Sequence, residues 1–450
     1  MHRLDFPRVR MTGMIALFAL LLPATDFKLF EICRAQDVPD LGTRKAGSDW
    51  PSFLGPNRDG KSGELGLNPK WPAAGPRVVW QRELGESFGA ASVSRGRLYV
   101  FDRSGDKMRL ACVKSETGEA LWTFESATDY RDSYGSGDGP RCGPVVDDDR
   151  VYTVAPDGVL TCVGAADGKL RWKTNTSADF GVVPNFFGVG STPVVEGDLL
   201  ICMVGGSPPG NGLVAFEKHT GKVRWKASDE LASYSSPVTA TIGGRRWGFA
   251  YARGGLVGFE PSTGKVDFHH PWRAPAIPTV NICNPVVAGD LVFVSEAYSV
   301  GSSVVRVRPG GCDVVWQDGR KRDRSMMCYF DTPVHVGGFL YGSSGQGQHE
   351  AELRCVEMAT GRVAWSEPGM SRCSLLHVDG HFVCLAEDGV LRLLKPNPAK
   401  YEEVAKVTLK SAAGDPLLRE PCWAAPVLSH GLLYVRGRDR LLCLELIAVK

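Results

Sequence analysis

The chain has 450 residues, 43% of them hydrophobic and 23% charged, and a formal net charge of +2. That is ordinary globular composition, and the balanced charge excludes a global electrostatic footprint for nucleic acid or an anionic membrane. The 53 glycines and 29 prolines favour many short strands joined by tight turns over a few long helices.

The first 35 residues read as an export signal. Arg3, Arg8 and Arg10 form a basic start, Met14 to Leu22 an apolar core, and Ala24 or Ala35 the small residue before cleavage. The apolar run is shorter than the roughly 20 residues of a spanning helix, so the mature chain is expected to carry no transmembrane segment. Residues 36–75 follow as an extension rich in Pro and Gly, which argues against regular structure. Trp50, Phe53 and Trp71 nevertheless call for burial, so the extension is expected to pack on the main body.

From residue 76 the sequence repeats. The stretch 110–122 reads L-A-C-V-K-S-E-T-G-E-A-L-W: an apolar run, a polar turn with Gly118, and a second run closed by Trp122. The unit returns ending at Trp172, Trp225, Phe268, Trp316 and Trp365, at intervals of 43 to 53 residues. Each copy opens on a Pro-Val-Val-like strand, as in Gly143-Pro144-Val145-Val146, and its glycine supplies the positive φ of a tight hairpin. Four antiparallel strands per unit make one propeller blade. A seventh, degenerate unit spans 371–409, and an eighth stops at Leu446 after three strands. Its missing outer strand is supplied by the orphan Pro76-Arg77-Val78-Val79-Trp80. The expected fold is therefore all-β: a single eight-bladed propeller over 76–450, closed by pairing of its N- and C-terminal strands. Closure removes the open sheet edges that would template aggregation.

The repetition assigns Trp80, Trp122, Trp172, Trp225, Phe268, Trp316 and Trp365 to docking between blades, since a ligand site would use one or two of them. Cys112, Cys162, Cys355 and Cys443 share one repeat position inside apolar runs and read as small buried hydrophobes. No C-x-x-C pattern occurs, and no metal is expected.

The pattern A-x-D-x-x-T-G-K-x-x-W, here Ala215 to Trp225, resembles the tryptophan-docking repeat of pyrroloquinoline quinone propellers. Trp50-Pro51-Ser52-Phe53-Leu54-Gly55-Pro56 with Gly60 resembles the leader of exported, non-catalytic bacterial members of that superfamily. The superfamily also includes the propeller lipoprotein of the barrel-assembly machinery. Its dehydrogenase branch implies a pocket on the axis, a disulfide between adjacent cysteines, a calcium held by Glu and Asn, and an Asp base. This chain has no adjacent cysteines and no evident calcium ligands. The function read here is thus an exported, monomeric scaffold of the periplasm or envelope, with no enzyme activity and no cofactor. The alternative is an oxidoreductase dependent on pyrroloquinoline quinone and calcium, with a divergent site.

Function is expected on the irregular connections between blades, 128–141, 175–190, 227–235, 269–283, 317–331, 366–372 and 410–423. Arg141, Tyr234, Asn284, Asp331 and Arg372 precede the inner strands and are expected to ring the channel mouth, binding a protein or small ligand. The basic run 320–324 reads as a solvated loop. His269 and His270, adjacent on a strand, are expected to face opposite ways.

Overall fold

The computed structural model describes residues 2, 38–183, 186–207, 209–274, 280–319 and 323–448. The chain divides into two units, 1–36 and 37–450. The first, and with it the export signal, lies outside the described residues apart from His2. The second is an eight-bladed propeller whose sheets are antiparallel and four-stranded, except where the extension adds a fifth strand to blade 7. Its blades cover 92–127, 145–175, 194–227, 238–271, 286–317, 334–367, 373–408 and finally 427–445 with 77–83. Blade 8 closes the ring: Arg77–Glu83 pairs antiparallel with Arg440–Glu445, placing Trp80 opposite Cys443. The helix Thr176–Phe180 is the one α-helix among the described residues.

Inter-blade docking follows one rule. The indole of one blade lies on the turn glycine of the next and donates to a carbonyl of that turn. Trp80 donates to Ser115, Trp122 to Ala165, Trp172 to Lys218, Trp225 to Pro261 and Trp316 to Met358, at 2.8–3.1 Å. Trp365 finds Asn397 at 2.7 Å. In blades 1, 2 and 8 the second strand carries a tyrosine whose hydroxyl donates to the same carbonyl: Tyr99 to Ala165, Tyr152 to Lys218, Tyr434 to Ser115. Between such a tyrosine and tryptophan stands a cysteine, as in the row Tyr99–Cys112–Trp122. All twelve described cysteines are free, and eleven are buried.

Two blades, 7 and 4, depart from this rule for different reasons. Blade 7 has Ala405 in the tryptophan row, opposite Leu393. Blade 8 has no hairpin between its third and outer strands, because two separate chain segments form them. With no turn to receive an indole, blade 7 carries none. Phe268, which has no N–H, packs instead on Trp247 and Phe249, and Gly258 beneath it leaves no space for a Cβ.

The docking glycines give a direct test. A Cβ on Gly221 (φ 72°) would lie 2.7 Å from the Trp172 indole, whereas Gly310 (φ 75°), the turn glycine after Phe268, has nothing within 4 Å. Both substitutions to alanine strain the turn equally. Gly221→Ala is therefore expected to cost about 1–3 kcal/mol more than Gly310→Ala, measured by chemical denaturation.

The extension lies over the blade turns and then enters the axis. Leu41 and Trp50 bond to Arg95 and Val93 of blade 1, Pro51 accepts from Val146 of blade 2, and Gly60 accepts from His377 of blade 7. Lys61–Ser62 then runs parallel to the inner strand Cys373–Val378. The inner strands turn their free edges to the axis, so residues 50–62 form a strap against them. Trp50 is 1% exposed and belongs to the largest core cluster, shared with blades 1, 7 and 8.

Candidate functional site

Strand register defines the site. In each blade the tryptophan row crosses to one residue of the inner strand, for example Val145 opposite Tyr152 in blade 2 and Leu376 opposite Val383 in blade 7. The residue four places earlier is Phe88, Arg141, Gly190 and Tyr234 in blades 1 to 4. It is Ile282, Phe330, Arg372 and Trp423 in blades 5 to 8. Seven of these eight line one axial cavity of about 970 Å³, part of it open to solvent, and Phe53 of the strap also lines it. Arg372, the eighth, stacks on Tyr329, Phe330 and Trp423, all three of which line the cavity.

Two residues further along comes a second tier. In blades 3 to 6 it is polar and locks blade to blade: Thr192 N–H donates to Ser236 Oγ, Ser236 N–H to Asn284 Oδ1, and Asn284 N–H to Thr332 Oγ1, at 2.7–3.0 Å. In blades 8, 1 and 2 it is Ala425, Ala90 and Gly143, which share the cavity wall with Phe53. Small residues there leave room for the ring.

Both rim arginines are neutralised. Arg141 pairs with Asp132 at 3.2 Å, donates to the carbonyls of Gly137 and Gly139, and lies 4.5 Å over the Phe88 ring. Arg372 grips Glu387 through two bonds of 2.6–2.7 Å, and Glu387 also accepts from the Trp423 indole at 2.7 Å. Tyr234 is buried; its hydroxyl accepts from Phe187 N–H, and desolvation pushes its pKa well up. Gly190 is fixed by close approach, since a Cβ there would lie 2.4 Å from the Tyr234 ring. Among the described residues, the lining contains no Asp, Glu, His, Cys or Lys. The wall can stack against an apolar or planar group and offer a few hydroxyls, but it holds no acid–base pair.

Of the five sequence-predicted mouth residues, the structure brings Arg141, Tyr234 and Arg372 into the ring. Asn284 and Asp331 are displaced from it by two residues and one, beside Ile282 and Phe330. Successive residues of an extended segment face opposite ways, so the one-residue offset turns Asp331 into the protein. There it is buried, accepts from Ser343 N–H at 2.9 Å, and desolvation raises its pKa from 3.8 to about 7. A raised native pKa favours folding fully below about 4, and that contribution is lost as pH rises towards 7. Asp331→Asn is therefore expected to flatten the fall in stability between pH 4 and 7, followed by denaturation at stepped pH.

Sequence reading missed Phe88, Phe330, Trp423 and Phe53. A signal existed for two of them: Arg141, Gly190, Tyr234, Ile282, Phe330 and Trp423 all stand three residues before the proline that opens the inner strand. Phe88 lies in a connection, 84–91, that follows the orphan strand and lacks that proline. His269 and His270 do face apart, His269 to Glu230 at 3.0 Å and His270 to Ser303. Of the basic loop, residues 320–322 lie outside the described residues.

A family model described as outer membrane protein assembly factor BamB matches residues 106–367 and 269–407. The chain belongs to this BamB-like family of pyrroloquinoline quinone-type propellers. Comparison with curated proteins gives no match. Among solved structures the chain is similar to quinohemoprotein alcohol dehydrogenase from Comamonas testosteroni, at 14% identity and TM-score 0.63, over 89% of this chain and 81% of that one. It is also similar to BamB from Moraxella catarrhalis, at 12% identity and TM-score 0.57, over 83% of this chain and 98% of that one. A computationally designed protein, Ika8, shares the fold at 10% identity and TM-score 0.53, over 82% of this chain and all of that one. These likenesses are of fold, and this fold carries no particular activity by itself.

The quinone branch of such propellers is testable against the residues. Calcium takes six to eight oxygen ligands, mostly carboxylate and carbonyl. The described wall presents no carboxylate, and Asp132 and Glu387 are committed to arginines. No group of three or more His, Cys, Asp or Glu among the described residues is placed to hold an ion. The described residues of this cavity do not fit a calcium-bound quinone.

Proposed function

We propose that this BamB-like propeller is an exported, non-enzymatic scaffold that binds a partner protein or small ligand through its loop face, with the aromatic axial cavity as the anchoring site. One observation carries the reading: blade connections converge on a cavity rich in aromatic side chains whose cations are already neutralised. Such a pocket suits an apolar or aromatic anchor, the kind of group that dominates binding energy at protein interfaces. The basic, apolar N-terminal pattern supports export. The role for which the family is described, outer membrane protein assembly, supports an envelope partner. No helix among the described residues is long and apolar enough to cross a membrane.

Two measurements test this. Capture of a partner from an envelope fraction is expected with the wild-type protein and lost with Trp423→Leu; undiminished capture by the variant contradicts the site. Incubation with pyrroloquinoline quinone and calcium is expected to give no stoichiometric, redox-active complex. Such a complex would replace the scaffold reading with the oxidoreductase.

A further inference from the structure

The segment Gly55-Pro56-Asn57-Arg58-Asp59-Gly60 takes no part in the aromatic cavity. It is a tight turn in which Arg58 N–H donates to Gly55 and Gly60 N–H to Leu54. Leu54 and Arg58 both adopt left-handed backbone, φ 61° and 55°. Non-glycine residues hold that conformation only where their surroundings enforce it, and such sites are often functional.

The turn places Arg58 in a second cavity, between the strap and the inner strands of blades 4, 5 and 6, of about 1020 Å³ and partly open to solvent. Other charges beside it are already paired. Arg246 grips both oxygens of Glu196 at 2.7 Å and adds a bond to Thr239. Asp59 stands 3.5 Å from Lys61. Among the described residues the half-buried Arg58 guanidinium has no hydrogen-bond or ion-pair partner; it feels the attraction of Glu196 and the repulsion of Arg246, and desolvation lowers its pKa to about 10. Five N–H donors in a partly desolvated cleft without an acceptor are unfavourable. Two further donors share the lining. The Asn57 side chain has no partner among the described residues, and Thr332 Oγ1, which accepts from Asn284 N–H, keeps its own proton to give.

We propose that Arg58 is the centre of an oxyanion site that takes a carboxylate or phosphate group on its guanidinium fork, with Asn57 and Thr332 as supporting donors. A planar fork matches two oxygens of either group. The site is separate from the aromatic cavity and does not depend on its role.

Titration calorimetry of the full-length protein, with acetate and inorganic phosphate as separate arms and chloride holding ionic strength constant, tests the proposal. Saturable binding of one anion to the wild type is expected. Stronger acetate binding identifies a carboxylate source such as a peptide terminus, and stronger phosphate binding a phosphoryl source. Arg58→Gln should weaken binding at least about tenfold. Arg58→Lys, which keeps the charge and loses the fork, should fall between. Should Arg58→Gln fail to fold by circular dichroism, Thr332→Val is expected to weaken binding severalfold. Absence of saturable binding to the wild type, as when Glu196 alone suffices for Arg58, overturns the proposal. So does unchanged affinity in a folded Arg58→Gln or Thr332→Val variant.

Discussion

Replacing Trp50 by alanine is expected to destabilise the protein by about 3–5 kcal/mol, seen as a fall in the denaturation midpoint. The side chain is 1% exposed and sits in a core shared by blades 1, 7 and 8, so its removal leaves a void rather than freed surface. Its backbone N–H and C=O both pair with Val93, which fixes the strap to the inner strand of blade 1. Gly55 lies directly on the indole, where a Cβ would stand 3.0 Å away. The turn carrying Arg58 is therefore built on Trp50, and Phe53 reaches the aromatic cavity from the same turn. Proteolysis within 54–60 should accelerate in the variant while the propeller keeps its far-ultraviolet spectrum. A loss below about 1 kcal/mol would mean that the strap rides on the propeller without stabilising it.

Glu387→Ala is expected to cost about 3–5 kcal/mol, because it leaves the guanidinium of Arg372 without its counter-charge in a mostly buried position. The same substitution removes the acceptor of the Trp423 indole. Trp423 is then expected to loosen from Phe88 and Phe330, with a red shift in tryptophan emission and weaker partner binding. A matched control is Glu352→Ala. Its partner Arg354 also forms a short ion pair, at 2.8 Å, but both side chains are more exposed, and an effect within about 1 kcal/mol is expected. Equal effects at the two sites would show that burial of the Glu387 pair contributes nothing.

The axial ring shows where sequence reading stops. Arg141, Tyr234 and Arg372 were legible as residues just ahead of inner strands. Asn284 and Asp331 looked equivalent because they are polar and adjacent to the same proline-led strands. Only the register across Val286–Phe293 and Val334–Tyr341 shows that Ile282 and Phe330 hold the ring positions instead. Polarity was a poor guide because the cavity is aromatic. Its two cations serve the wall, held by Asp132 and Glu387. Those carboxylates lie 9 residues before Arg141 and 15 after Arg372, on no repeat position that would flag them.

The sequence by itself determined the architecture. A turn glycine and an aromatic closing residue at regular spacing define the blades, and an orphan strand ahead of an incomplete last blade defines the closure. Hydrophobic period and turn chemistry are local, so they are written residue by residue. Only the tertiary structure decided that Phe53 lines the axial cavity, that the rim arginines are ion-paired with Asp132 and Glu387, and that the Arg58 guanidinium has no partner among the described residues. Each depends on segments far apart in the chain meeting at the axis, where contacts follow from the closed ring rather than from any local pattern.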